Sequence, residues 1–203
     1  MAVATPIHRL TEAEYLKLER QADFKSEFFG GEMSARSGGS RWHSLIATNL
    51  AREFSTRLRG RPCVAYSSDL RVKAEASGLY TYPDLSVVCG EQRFVDEQVD
   101  ALLNPTVFVE VLSDSTEAYD RGKKFELYRQ IPSLQEYLLV SQREPRIEQF
   151  IRQSGGEWLL RDAVGLNTQL ALPSLQINVT LAEVFANVEF PPATARPDKT
   201  PRT

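Results

Sequence analysis

Two cysteines, two histidines and two methionines are all that this chain of 203 residues holds of those three types. It also lacks any run of about 18 apolar residues, so it carries no membrane-spanning helix. Met1 to Leu10 has no apolar core of the kind a secretory signal needs. The cytoplasm is therefore the expected location, with no membrane partner. Cys63 and Cys89 show neither CxxC spacing nor a neighbouring histidine, so no zinc-site pattern is present. They are expected as two buried free thiols, because free cysteine is among the most buried residue types. Strong charge of either sign is missing too: the net charge is −3. Such a balance does not by itself advertise nucleic-acid binding.

What is present is ordinary soluble-globular composition and enough chain to bury one core. Charge is unevenly placed. Arg41, Arg52, Arg57, Arg59, Arg61, Arg71 and Lys73 face only Glu53 and Asp69 in the same stretch. That run reads either as a solvated helix face or as a surface able to track phosphates.

Thr11 with Glu14 three residues on forms a capping-box pattern for a first helix, Thr11 to Arg20. Phe24 to Arg36 alternates around Gly30-Gly31, a hairpin signal with Glu27 on one arm and Glu32 on the other. Leu45, Ile46, Leu50 and Phe54 recur at helical spacing, which predicts a helix over Arg41 to Leu58. Strands are expected at Cys63 to Tyr66, Leu70 to Val72, Asp84 to Val88 and Thr106 to Leu112, with a short helix near Asp96 to Leu103. A helix capped from Ser113 to Thr116 runs to about Gln130. A three-strand meander follows, at Leu134 to Val140, Arg146 to Ile151 and Glu157 to Arg161. A strand at Leu172 to Leu175 and a helix at Leu181 to Phe185 complete the core. Pro191 to Thr203 holds four prolines and no large apolar residue, so it reads as a disordered tail after a single domain of residues 1–190. Mixed rather than strictly alternating elements predict an α/β fold with a mixed sheet flanked by helices.

Asp84 opens one predicted strand and Glu110 nearly ends the next. On antiparallel neighbours the two carboxylates would stand about 5 Å apart. A lone carboxylate in a run as apolar as Val107 to Leu112 costs several kcal/mol to bury, roughly, unless it is paired or metal-bound. Two carboxylates with open coordination positions suit Mg²⁺. Asp120 and Lys124 share a helix face directly after that strand, and Tyr128 continues it. An i,i+4 ion pair accounts for that spacing by itself. Tyr128 is expected to pack and to give its hydroxyl to a polar neighbour.

Pro83-Asp84, the segment Glu110-Val111-Leu112-Ser113-Asp114-Ser115-Thr116, then Tyr119-Asp120-Arg121-Gly122-Lys123-Lys124 through Tyr128, and Ile131-Pro132-Ser133-Leu134, resemble the Uma-two family. This is a bacterial family of endonucleases within the PD-(D/E)XK, restriction-endonuclease-like superfamily. The resemblance implies a restriction-endonuclease-like sheet with Asp84 and Glu110 as Mg²⁺ ligands, Mn²⁺ being an alternative. The carbonyl of Val111 and the carboxylate of Glu27 would complete the shell, with Glu32 the other candidate for the third acid. The superfamily places its lysine two residues after the acid, where this chain has Leu112. The lysine has moved to the following helix, which points to Lys124, then Lys123. His43 matches a histidine of the family pattern and would act as a phosphate contact or proton shuttle. Asp114 stands where the family usually has proline.

The leading expectation is an endonuclease that hydrolyses DNA phosphodiesters, acting as a homodimer where both strands are cut. A nuclease fold that binds nucleic acid or a protein partner without turnover is the alternative. A two-carboxylate glycoside hydrolase is disfavoured, because the apolar strand around Glu110 does not suggest a sugar-sized cleft.

Overall fold

The computed structural model describes residues 9–36 and 38–190. A first helix, α1 (Glu12–Glu19), leads to a hairpin, β1 (Ser26–Phe29) and β2 (Glu32–Ala35), and then to the long helix α2 (Arg41–Arg57). β3 (Cys63–Ser67), β4 (Arg71–Ala74), β5 (Leu79–Thr81), β6 (Leu85–Cys89), β7 (Ala101–Leu102) and β8 (Val107–Val111) follow. A helical stretch comes next: α3 (Glu117–Tyr119), a π-helical turn (Asp120–Lys124) and α4 (Phe125–Tyr128). β9 (Glu136–Val140), β10 (Arg146–Arg152), β11 (Trp158–Val164), β12 (Gln169–Leu172), β13 (Ile177–Thr180) and α5 (Leu181–Val184) end the fold.

The central sheet has six strands in the order β11-β10-β9-β8-β6-β3. It is mixed: β8 and β9 are parallel, and the other neighbours are antiparallel. A second sheet, β2-β1-β5-β4-β7, and the hairpin β12-β13 pack around it. The parallel pair needs a crossover, and the α3–α4 stretch supplies it.

Every residue of β8 is buried, as its continuous apolar sequence requires of a strand covered on both faces. Val107, Val109 and Val111 join the core under α2, with Ile46, Leu50 and Phe54. Phe108 and Leu112 join the opposite core, with Leu127, Tyr128 and Tyr137. Glu110 has their parity on the strand, so it points toward the α3–α4 side. Each fully buried Val, Leu or Phe contributes roughly 1.5–3 kcal/mol, so the strand cannot slip register without exposing its core set.

The local signals behave as their chemistry dictates. Thr11 and Glu14 form both bonds of the capping box on α1. Gly30 and Gly31 both adopt positive φ, +61° and +88°, which the two-residue hairpin turn demands. Ser40 caps α2 by accepting the His43 N–H at 3.1 Å.

Four expectations need correction, and the strand β5 was not expected at all. Asp96 to Leu103 is no helix: Val99 has φ +56°, and Ala101 and Leu102 pair with β4 as a strand. β5 carries no strong pattern of its own and forms because β1 and β4 pair with its two edges. The strand expected at Leu172 to Leu175 lies earlier, at β12, and its partner β13 was not foreseen. The hydroxyls after β8 do not cap a helix: Ser113 Oγ instead bonds those of Ser115 and Thr116, at 3.1 and 2.9 Å. Finally, Cys63 and Cys89 are half-buried and joined in a disulfide, because the β3–β6 register sets them opposite each other. The proline-rich stretch from Pro191 lies outside the described residues.

α1 is tied to the β7 segment by Arg20, which meets Asp96 and Asp100, each at 2.8 Å. The Arg20 hydrogen bond, opposed by burial and aided by Arg71, holds the Asp100 carboxyl below its ordinary value. A depressed carboxyl stabilises the fold above its unfolded value of 3.8, and that contribution disappears as pH falls through the folded value. Asp100→Asn is expected to lose about 1 kcal/mol at neutral pH. Its acid unfolding curve below pH 4 should be correspondingly flatter than wild type, as followed by circular dichroism.

Candidate active site

The β6–β8 register runs Leu85↔Val109, Ser86↔Phe108, Val87↔Val107. Carried one residue further, it sets Asp84 opposite Glu110, both on the α3–α4 face of the sheet. They line the floor of a cleft of about 840 Å³, together with Glu27, Arg36, His43, Val111 and Lys124. Hairpin β1–β2, the start of α2, the ends of β8 and β9, and α3 form its walls.

Two clusters meet there. In one, Asp84 Oδ2 accepts the Val111 backbone N–H at 2.8 Å and meets His43 Nε2 at 3.0 Å. Asp84 Oδ1 lies 3.4 Å from Arg36 Nη2. Burial raises the Asp84 pKa, but His43, the Val111 N–H and Arg36 outweigh it, and the net shift is downward. The Asp84 hydrogen bond raises His43 above its usual value against burial and the repulsion of Arg36.

In the other cluster, the Lys124 ammonium lies 2.9 Å from Glu110 Oε1, 3.3 Å from Glu27 Oε1 and 3.4 Å from Asp120 Oδ1. Tyr128 donates its hydroxyl to Glu110 Oε1 at 2.8 Å, and Thr81 donates to Glu27 at 2.7 Å. Burial alone would lower the Lys124 pKa, yet Glu110, Glu27 and Asp120 carry it well above the ordinary lysine range. Burial pushes Glu110 up to about 7; Lys124 opposes the rise, and Asp84 and Asp120 add to it. A lysine so held keeps its proton. It is set to donate hydrogen bonds and to offset charge.

The π-helical turn carries Asp120 and Lys124, both buried. Such single wide turns recur at functional sites. With Lys124 supplied from this turn, the position two residues after Glu110 is left to packing, and Leu112 fills it as a core residue. The choice among the other candidates is also decided by position. Lys123 is half-exposed and paired with Glu126 at 3.2 Å. Glu32 is exposed, whereas Glu27 lines the cleft.

Sequence reasoning missed Arg36, Thr81 and the pairing of His43 with Asp84. Arg36 carries no local signal, since it sits one residue beyond β2. Members of the basic run noted in the sequence are tied to acids. Arg57 pairs with Glu53 and Glu183, Arg71 with Asp100, and Lys73 with Glu12.

Glu136 gives an instructive contrast. It too is fully buried. Its oxygens accept the Ser174 N–H at 2.8 Å and Gln149 Nε2 at 2.6 Å. Neutral donors suffice there, and the residue docks the β12–β13 turn onto the sheet. Glu110 instead sits among charges. Around the cleft, Glu27, Asp84, Glu110, Asp114, Glu117, Asp120, Glu144 and Glu148 face Arg36, Arg121, Lys124, Arg143 and Arg146. This acid excess and its hard oxygen donors suit Mg²⁺ or Mn²⁺ rather than a softer metal. Among the described residues no three His, Cys, Asp or Glu side chains already converge on one metal position.

A mixed sheet flanked by helices, with facing carboxylates and a buried lysine beside them, defines a nuclease-like α/β protein. The model of the Uma2 family, described as "putative restriction endonuclease", matches residues 12–183, and the chain belongs to that family. Two uncharacterized proteins of Synechocystis sp. (strain ATCC 27184 / PCC 6803 / Kazusa) are close in sequence. One, sll1609, is 37% identical over 87% of this chain and 100% of its own length. The other, slr1290, is 36% identical over 92% of this chain and 97% of its own. The fold is also that of a "putative nuclease" from Anabaena variabilis ATCC 29413, solved by crystallography. It superposes with a TM-score of 0.68 at 18% identity, over 85% of this chain and 96% of that one. Among the described residues no helix is long and apolar enough to cross a membrane.

Proposed function

We propose that this protein is a Mg²⁺-dependent endonuclease that hydrolyses DNA phosphodiester bonds, with Mn²⁺ able to replace Mg²⁺. The observation that carries the reading is the facing of Asp84 and Glu110 on the cleft floor, with the Lys124 ammonium 2.9 Å from Glu110. Family membership supports the reaction class.

Asp84, Glu110 and the carbonyl of Val111 would hold the ion. When bound, it supplies Lewis-acid polarisation of the phosphate and a water of lowered pKa. The chain's own groups do the rest. Lys124 stays charged and offsets the negative charge that gathers on the phosphate oxygens as the P–O bond breaks. Arg36 and His43, beside Asp84, would serve as phosphate contacts. Two copies of the chain would serve where both strands of a duplex are cut.

A second reading rests on a specific observation. Asp84 and Glu110 are already met by protein cations, so the fold is able to stand as a binding module without turnover. One experiment separates the two. Plasmid and oligonucleotide DNA are incubated with the protein in Mg²⁺, in Mn²⁺ and in EDTA. Cleavage in both metals but not in EDTA is expected. An inert protein that binds no Mn²⁺, yet binds DNA in a salt-dependent way, would establish the binding module instead.

A further inference from the structure

We propose that Glu27 and Asp120 are positioning residues that hold the Lys124 ammonium beside Glu110, and that neither is a metal ligand. The proposal rests on the reading of Asp84 and Glu110 as the metal-binding pair. An ammonium has three N–H donors. Lys124 faces three carboxylates, one each from β8, β1 and the π-helical turn, at 2.9, 3.3 and 3.4 Å. Only 4% of its side chain is exposed, so its partners are the carboxylates rather than bulk solvent.

Glu27 makes its close contacts in the lysine half of the site. The Glu27 oxygen that faces Lys124 also takes the Thr81 hydroxyl. Asp84 is held by His43, Arg36 and the Val111 N–H, none of which bonds Glu27. In this arrangement Glu27 serves the lysine rather than joining Asp84 and Glu110 as a third acid around one centre.

The arrangement has a mechanical consequence. With Glu110 as its only partner, a buried lysine would lose that partner whenever Glu110 turned its oxygens to an ion, and an unpaired buried charge is strongly disfavoured. Two further carboxylates, on separate elements, keep the ammonium in place while Glu110 is released. Asp120 does this from the lysine's own helical stretch and Glu27 from the hairpin across the cleft.

The test measures Mn²⁺ binding by calorimetry, DNA cleavage kinetics, and the native-state reactivity of Lys124 toward an amine reagent read by mass spectrometry. Wild type, Glu27→Gln, Asp120→Asn and Asp84→Asn are compared, with circular dichroism checking the fold. Glu27→Gln and Asp120→Asn should bind Mn²⁺ within about threefold of wild type, whereas Asp84→Asn should lose tenfold or more, roughly. Both positioning variants should lower kcat by about 10–100-fold with KM unchanged. Lys124, shielded in wild type, should approach the reactivity of half-exposed Lys123 in these two variants. If Glu27→Gln weakens Mn²⁺ as Asp84→Asn does, Glu27 is a ligand and the proposal is overturned. Unchanged Lys124 reactivity in both variants overturns it equally. A wild type that binds no Mn²⁺ refutes the metal reading instead, and the labelling still decides whether Glu27 and Asp120 hold the lysine.

Discussion

Glu110→Gln is expected to abolish DNA cleavage and, in the same protein, to raise stability above pH 7. The two effects share one cause. Glu110 is 2% exposed and lies near Asp84 and Asp120, and its pKa is pushed up to about 7 by burial and by those neighbours. A carboxyl raised in the native state resists ionisation there. Below its unfolded value of 4.5 both states are protonated and nothing is lost. As pH rises from 4.5 to about 7, the unfolded chain ionises while the native one does not, and stability falls. Above that window the cost is complete, on the order of 3 kcal/mol.

Glutamine keeps the shape, and its oxygen still accepts from Tyr128 and Lys124, but it has no charge to bury. In EDTA, the denaturation midpoint of Glu110→Gln should match wild type at pH 4 and exceed it at pH 8. Activity should fall by about 10³-fold, since an ion bound there contributes several kcal/mol of charge stabilisation. Asp84→Ala should lose as much activity without the gain in stability, because it strips His43 and Arg36 of their counter-charge. An enzyme whose rate survives both Asp84→Ala and Glu110→Ala would remove these residues from the mechanism. A Glu110→Gln protein less stable than wild type at pH 8 would refute the charge argument.

Lys124→Met should act in the opposite direction. The thioether fills much of the same space but leaves Glu27, Glu110 and Asp120 facing one another without the ammonium that they share. Removing one partner from a buried ionic cluster costs about 3–5 kcal/mol. Urea denaturation at pH 7.5 should show that loss, together with a fall in cleavage rate of about 10²–10³-fold. The stability loss should be partly repaired by millimolar Mg²⁺, and more strongly than wild type is stabilised, because the uncompensated carboxylates then favour a cation. A loss below about 1 kcal/mol would mean that the cluster already holds its acids protonated.

Much of the site was legible in the chain because its logic is local. Glu110 is conspicuous as the one charge in a fully apolar strand, and Asp84 stands where a strand begins. For antiparallel neighbours those positions fall together, and the observed register places them so. Capping and turn chemistry at Thr11, Gly30-Gly31 and Ser40 likewise depends on neighbours within a few residues. The same locality explains the failures. Whether Asp96 to Leu103 became helix or strand depended on β4, and whether Cys63 met Cys89 depended on strand register. β5 exists only because two other strands flank it.

Sequence by itself determined the burial of β8 on both faces, the carboxylate at its end and the helical stretch that follows, since hydrophobic period and strand parity need only adjacent residues. The tertiary structure alone decided which cations meet those carboxylates. Lys124 rather than Lys123 reaches Glu110, Arg36 and His43 converge on Asp84, and Glu27 rather than Glu32 faces the cleft. Those pairings join residues far apart along the chain, and a charge's partner is set by distance in space, which no spacing along the sequence encodes.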